Sequence, residues 1–272
     1  MKVITIGNSV IDYYPDLNKM YPGGSSLNVS VFCKRFGAKQ SAFIGMIGTD
    51  EEGEHIEKVL NKEQINKDRI RKVVGKSSKV TIKQTPDGDR IIDKWDKGVQ
   101  SLVTIQLNED DLKYIALYDV LHIGLNSFLD DQLKNLSNRI SLSYDFSTTR
   151  DQAHLQAVCP YLEYAFFSGS DLSPAECNEL IKQVHEYGTK YVIVTRGKYG
   201  AILSDFKTIY TETIDEKMVK DTLGAGDSFI AMILTNINQS TNLSNLLKES
   251  TAMATETCVN VGAFGHAFLV NN

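Results

Sequence analysis

The sequence predicts an α/β layered fold built around a mostly parallel sheet, with a small β appendage standing off it. Three observations predict this. Short, continuous apolar runs that end near glycine recur along the chain, helix-like segments separate them, and one stretch reads instead as a hairpin. Runs that are apolar throughout suit strands covered on both faces. Their alternation with helices suits right-handed parallel crossovers.

Taken in order, the runs are "KVITIG" (Lys2–Gly7), "SAFIGMIG" (Ser41–Gly48), "YDVLHIG" (Tyr118–Gly124), "SLSYDF" (Ser141–Phe146), "YAFFSG" (Tyr164–Gly169), "KYVIVTRG" (Lys190–Gly197) and Lys207–Glu212. Helices are expected over Ser25–Phe36, Glu51–Asn61, Glu109–Leu117, Asp130–Asn138, Pro174–Tyr187, Ala225–Asn236 and Leu243–Val261. Between Lys79 and Val99, two alternating segments flank "TPDGD", a hairpin signal. The whole chain, 1–272, is read as one domain, with a lid from about residues 12–22 and 79–99.

Bulk properties narrow the function. Apolar residues make up 42% and charged residues 23%, a soluble globular mixture. The net charge of −5, without a basic block, gives no reason to expect nucleic acid. An anionic substrate therefore needs local capture by backbone amides and a metal ion. No leader precedes the first strand and no apolar stretch approaches ~20 residues, so neither export nor a membrane span is expected, and the cytoplasm is the default. Cys33, Cys159, Cys177 and Cys258 lack C-x-x-C spacing and read as small buried hydrophobes of a reducing compartment. His55, His122, His154, His185 and His266 are dispersed without metal spacing. Only His122, in an apolar strand beside Gly124, invites a place beneath the lid.

The chemistry concentrates in "DTLGAGDSFIAMIL", Asp221 to Leu234. The first amides of a helix lack internal partners and sit at the positive end of its dipole. With Gly224, Ala225 and Gly226 there, a phosphoryl group can approach the backbone closely, and Asp227 is placed to accept a proton from an attacking hydroxyl. By spacing alone, an ordinary N-capped helix using Thr222 or Asp227 fits equally well.

The neighbouring motifs decide. "DTLGAGD" carries every fixed position of D-T-x-G-A-G-D, and the chain resembles the ribokinase-like, PfkB family of carbohydrate kinases. "PGGSSLNVSVFCKRFG" (Pro22–Gly37) is similar to that family's first signature, and "GMIGTDEEG" (Gly45–Gly53) to its G-x-x-G-x-D-x-x-G element. The resemblance implies a three-layer ribokinase-like domain, a central mostly parallel sheet with helices on both sides, plus a small β lid over a sugar. It implies ATP and Mg2+, with Asp227 as catalytic base and the amides of Gly224, Ala225 and Gly226 as anion hole. Asp221 matches an acid near a monovalent-cation site in many members, so K+ is a candidate.

Asp12, Gly23, Gly24 and Asn28 match the sugar end, where a carboxylate and a side-chain amide suit hydroxyls. Thr195, Gly197 and Gly200 resemble a T-x-G-x-x-G segment at the nucleotide end, where Cys258–Gly265 should wall the adenine and Thr251 aligns with a polar position. Where members carry N-x-x-E, this chain has Ser168-Gly169-Ser170-Asp171, leaving Asp171 as the carboxylate for hydrated magnesium.

The wording of "IDYYPDLNKMYPGGSSLNVSVFCKRFG" and "CPYLEYAFFSGSDLS" resembles the fructosamine branch, whose members phosphorylate the 6-hydroxyl of Amadori adducts such as fructoselysine. In the lid, Arg90 suits the adduct's carboxylate, Asp93 or Asp96 its ammonium, and Trp95 its alkyl stem. A kinase of another sugar or nucleoside, such as fructose or ribose, is the alternative acceptor class, and a sensor without turnover the alternative outside enzymes. A dinucleotide oxidoreductase lacks its G-x-G-x-x-G turn. The lid's edge also invites a homodimer.

Overall fold

The computed structural model describes residues 1–85, 90–214 and 219–269. The expected turn of the hairpin, residues 86–89, lies outside the described residues. The strands are β1 (Lys2–Ile6), β2 (Val10–Tyr14), β3 (Lys19–Gly23), β4 (Gln40–Ile44), β5 (Met46–Gly48), β6 (Arg71–Val73), β7 (Lys79–Gln84), β8 (Arg90–Asp96), β9 (Val120–Gly124), β10 (Ser141–Asp145), β11 (Tyr164–Ser168), β12 (Tyr191–Thr195), β13 (Ala201–Ser204), β14 (Ile209–Glu212) and β15 (Phe268–Leu269). The helices are α1 (Ser25–Arg35), α2 (Glu51–Lys62), α3 (Glu109–Ile115), α4 (Leu133–Ser137), α5 (Gln152–Val158), α6 (Pro174–Glu186), α7 (Ala225–Asn236) and α8 (Leu243–Thr257).

An eight-stranded sheet in the order β14-β13-β12-β11-β10-β9-β1-β4 forms the middle layer. Its strands from β12 to β4 run parallel, and β13 and β14 add an antiparallel edge. Successive residues serve opposite faces. Tyr164 and Phe166 pack with the residues of α1, α7 and α8, whereas Ala165 and Phe167 pack with those of α3 to α6. Phe166 and Phe167 are each 2% exposed, so the sheet is dry on both sides, each such ring contributing about 1.5–3 kcal/mol by burial. That is why these strands read as unbroken apolar runs.

Chain order reverses beside β1, which pairs with β4 on one side and β9 on the other. In open parallel sheets, such a switch point opens a crevice at the carboxyl ends of the strands. From that end of β1 the chain leaves for a second, five-stranded sheet, β15-β3-β2-β7-β8, and re-enters through Gly24 at the start of α1. Among the described residues no helix is long and apolar enough to cross a membrane.

Several expectations are refined. Ser41–Gly48 is two strands: at Gly45 an added Cβ would lie 2.2 Å from the Phe43 ring, and β5 leaves the main sheet to pair with β6. The expected helix Asp130–Asn138 is a 3-10 turn (Asp130–Gln132) followed by α4. Strands β2, β3 and β13 and helix α5 were not separate expectations. His122 does not lie beneath the lid. It is fully buried in β9, its Nδ1 2.9 Å from Ser143 Oγ, and burial pushes it down to about 3, so it stays neutral.

Candidate active site

Two helix starts converge at the carboxyl end of the main sheet. Gly24 caps α1 at φ 105° and Gly224 caps α7 at φ 81°, and neither helix has a side-chain cap. Glycine is required at both. A Cβ on Gly24 would lie 2.6 Å from the Asn8 carbonyl, and one on Gly224 2.6 Å from Ala263 Cβ.

The packing of α1 on α7 sets the central contact. Asn28 Nδ2 donates to Asp227 Oδ2 at 2.7 Å, and Ser25 Oγ donates to Asp227 Oδ1 at 2.9 Å. Burial raises Asp227, while the Asn28 and Ser25 bonds and the Arg90 charge act against that rise. Gly226 is exposed, and an added Cβ would meet nothing within 4 Å, so its backbone is open to approach. The Ala225 amide donates to Thr222 O at 3.3 Å, which leaves it less available than its neighbours.

Asp12 and Asn28 face the same space with unused acceptors. Asp12 Oδ2 and Asn28 Oδ1 are buried without a hydrogen-bond partner, which leaves both able to accept from a ligand. Burial pushes Asp12 up to about 7, with Arg90 opposing and Asp221 and Asp227 adding. At Gly23 an added Cβ would sit 1.9 Å from Asp12 Oδ2, so any larger residue would displace that carboxylate.

The second sheet supplies a roof. Val80 pairs with Trp95 and Ile82 with Ile92, and the register shift between Thr81 and Ile82 leaves Asp93 as a bulge. The bulge puts Arg90, Ile92 and Trp95 on the face of Val80 and Ile82, the face that also carries Asp12 and Tyr14. Arg90 Nη1 reaches Thr222 Oγ1 at 3.2 Å, beside the α7 start. Trp95 Nε1 donates to Ser78 Oγ at 3.0 Å. Asp93 and Asp96 are corrected: Asp93 pairs with Lys83 at 2.9 Å, and Asp96 Oδ1 accepts from the Gly98 amide at 3.0 Å, so neither belongs to the roof's inner face.

At the other end, Ser168 and Thr195 are register partners at the ends of β11 and β12. Thr195 Oγ1 donates to Phe167 O at 3.3 Å. Gly197 and Gly200, at φ 54° and 87°, bracket the turn into β13. Gly200 has a structural reason as well, since a Cβ would lie 1.8 Å from Glu212 O. Thr251 is buried in α8 and its hydroxyl is spent on Leu247 O at 2.9 Å.

Asp171, the expected magnesium carboxylate, forms an ion pair. Arg150 grips it with Nη1 and Nη2 at 2.9 and 2.8 Å, a fork that engages both oxygens. Among the described residues no group of three metal-binding side chains forms. Asp145, at the end of β10, was not anticipated. Burial pushes it up to about 7, opposed by the Ser147 amide and reinforced by Asp227.

Asp221 is fully buried and committed to donors. Tyr14 Oη and the Gly262 amide donate to Oδ2 at 2.5 and 2.9 Å, and the Leu223 amide donates to Oδ1 at 3.0 Å. Three of this carboxylate's roughly four lone-pair directions are thereby taken by hydrogens, which leaves little for a cation.

The chain resembles known proteins over nearly its whole length. The chain is 44% identical over 269 residues to the fructosamine kinase FrlD of Bacillus subtilis, covering 98% of this chain and 94% of that protein. It is 31% identical over 264 residues to fructoselysine 6-kinase of Escherichia coli, covering 96% and 98%. The structure of Arabidopsis thaliana ribokinase complexed with ribose and ATP superposes with a TM-score of 0.80 at 17% identity, over 96% of this chain and 94% of that one, a likeness of fold. The family model described as pfkB family carbohydrate kinase matches residues 14–265, and the chain belongs to that family.

Proposed function

We propose that the chain transfers the γ-phosphoryl group of ATP to the 6-hydroxyl of an Amadori fructosamine, with fructoselysine as the first acceptor to try. The observation that carries this reading is Asp227, engaged on both oxygens by Ser25 and Asn28 where two uncapped helix starts meet. The names of the two relatives, a fructosamine kinase and a fructoselysine 6-kinase, support the same acceptor class.

In this reading, Asp227 takes the hydroxyl proton as the sugar oxygen bonds to the γ-phosphorus and the bond to the ADP oxygen breaks. The backbone of Gly224, Ala225 and Gly226 steadies the charge on the moving phosphoryl group. Asp12 and Asn28 offer their unused oxygens to sugar hydroxyls, and Gly23 and Gly24 let the ring lie against backbone. Arg90 takes the adduct's carboxylate, while Ile92 and Trp95 cover its alkyl stem. Ser168, Thr195, Gly197 and Gly200 border the phosphates, and Thr251 acts through packing rather than its hydroxyl. Hydrated Mg2+ would supply charge neutralisation, and Asp145 would be better suited than Asp171 to hold its waters because Asp171 is committed to Arg150.

The five-stranded sheet serves as the lid that excludes water during transfer. Its outer strand β8 is exposed along its length, with Ile91 54% and Ile92 62% exposed, which supports edge pairing with a second copy. A single-chain mass in sedimentation would remove that dimer. Four buried, unpaired cysteines support a cytoplasmic setting.

The test is a panel of Amadori adducts, free hexoses and nucleosides with ATP and magnesium, locating the new phosphate by NMR. Adducts should be preferred, and Arg90→Ala should raise KM for the adduct by about tenfold more than for fructose. Equal turnover of fructose and fructoselysine, or equal losses in Arg90→Ala, would sink the acceptor assignment.

A further inference from the structure

We propose that Tyr14 does with a hydroxyl what a monovalent cation would do beside Asp221, so that this kinase works without one. The inference is geometric. Of the roughly four lone-pair directions a carboxylate offers, three are taken by hydrogens from Tyr14 Oη, the Gly262 amide and the Leu223 amide. The surrounding backbone is also tied down. Lys220 and Asp221 amides both donate to Cys258 O, at 2.8 and 3.1 Å, tying the approach to the phosphate loop against the end of α8. Gly262, at φ 75°, lies under the Tyr21 ring, where an added Cβ would come within 2.3 Å. Tyr21 in turn meets Tyr14 edge to face, with ring centroids 5.4 Å apart.

Burial and the adjacent carboxylate keep the Tyr14 phenol protonated well above its ordinary range, so it stays a donor. Charge around the node comes from Asp12 on β2, Arg90 on β8 and Asp221 itself. Tyr14 is thus a positioning residue. It stands on a lid strand, and its partner lies three residues before Gly224, where α7 begins.

The inference rests on the kinase reading for its turnover measurement only, since MgATP binding needs no acceptor sugar. Calorimetric MgATP affinity and, separately, turnover are compared in potassium and tetramethylammonium chloride at constant ionic strength. Wild type should agree within about twofold between the two salts, whereas Tyr14→Phe should weaken in tetramethylammonium and recover about tenfold in potassium. A wild type stimulated by potassium beyond about twofold overturns the proposal, as does a folded Tyr14→Phe indifferent to the cation. Should Tyr14→Phe fail to fold, the wild-type salt comparison decides. Failure of the acceptor panel leaves the MgATP measurement intact, so the two failures are distinguishable.

Discussion

Helices α1 and α7 begin unlike most others in the molecule. Asp50, Asn108, Asp151, Ser173 and Asn242 each accept hydrogen bonds from the first turns of α2, α3, α5, α6 and α8, and Asn108 and Ser173 complete capping boxes. At α1 and α7 a left-handed or strongly positive glycine stands instead, with no side chain over the amides. A good cap is worth about 1 kcal/mol, so the two glycine starts forgo stability that the chain secures elsewhere. What they gain is backbone that a ligand can reach. In a chain that caps its helices this regularly, a pair of bare starts facing one carboxylate marks the working end.

The largest expected effect breaks that pair at its shared acid. Asp227→Asn should lower kcat by about 10²–10⁴, with thermal denaturation showing an intact fold. Turnover near wild type would show that the convergence of α1 and α7 has another purpose.

A smaller effect sharpens the contrast through pH. Asp12 titrates at about 7 in the folded chain against an ordinary 3.8, so the folded state holds a proton the unfolded chain has released. Its contribution to stability is full below the ordinary value and is lost as pH rises through 7. Asp50, Glu57 and Glu63 are lowered and run the other way, losing their contribution in acid, so the useful quantity is the difference between variant and wild type. Asp12→Asn should gain on wild type by a few kcal/mol at about pH 8, and the gain should vanish near pH 4. A difference that does not change with pH would mean that Asp12 is not the strained carboxyl of the site.

The smallest effects have opposite signs at the two kinds of start. Gly226→Ala should raise stability by up to about 1 kcal/mol while raising KM for MgATP, because its Cβ enters open space over the approach. Ser173→Ala should cost about 1 kcal/mol and leave kcat unchanged. Gly226→Ala with an unaltered KM would place the phosphates elsewhere.

Much of this was legible in sequence, for physical reasons. Strands buried on both faces cannot alternate, so β1, β9, β10, β11 and β12 stand out as apolar runs, and the glycine start of α7 stands out because its conformation excludes other residues. The lid was harder. The bulge at Asp93 breaks the two-residue period, so Trp95 is legible on the inner face whereas Ile92, rather than Asp93, joins it there. The partners of the site's acids were not legible. Ser25 reaches Asp227 across 202 residues and Tyr14 reaches Asp221 across 207, and no local pattern announces such pairs. Arg150 and Asp145 carry no spacing that sets them apart from surface charge and strand end.

The long separation between Asn28 and Asp227 has a consequence for synthesis. Asn28 emerges from the ribosome early, whereas the carboxylate it bonds arrives 199 residues later. A nascent or truncated chain therefore lacks the surface against which α1 packs. Catalysis waits until both arms of the polypeptide have docked.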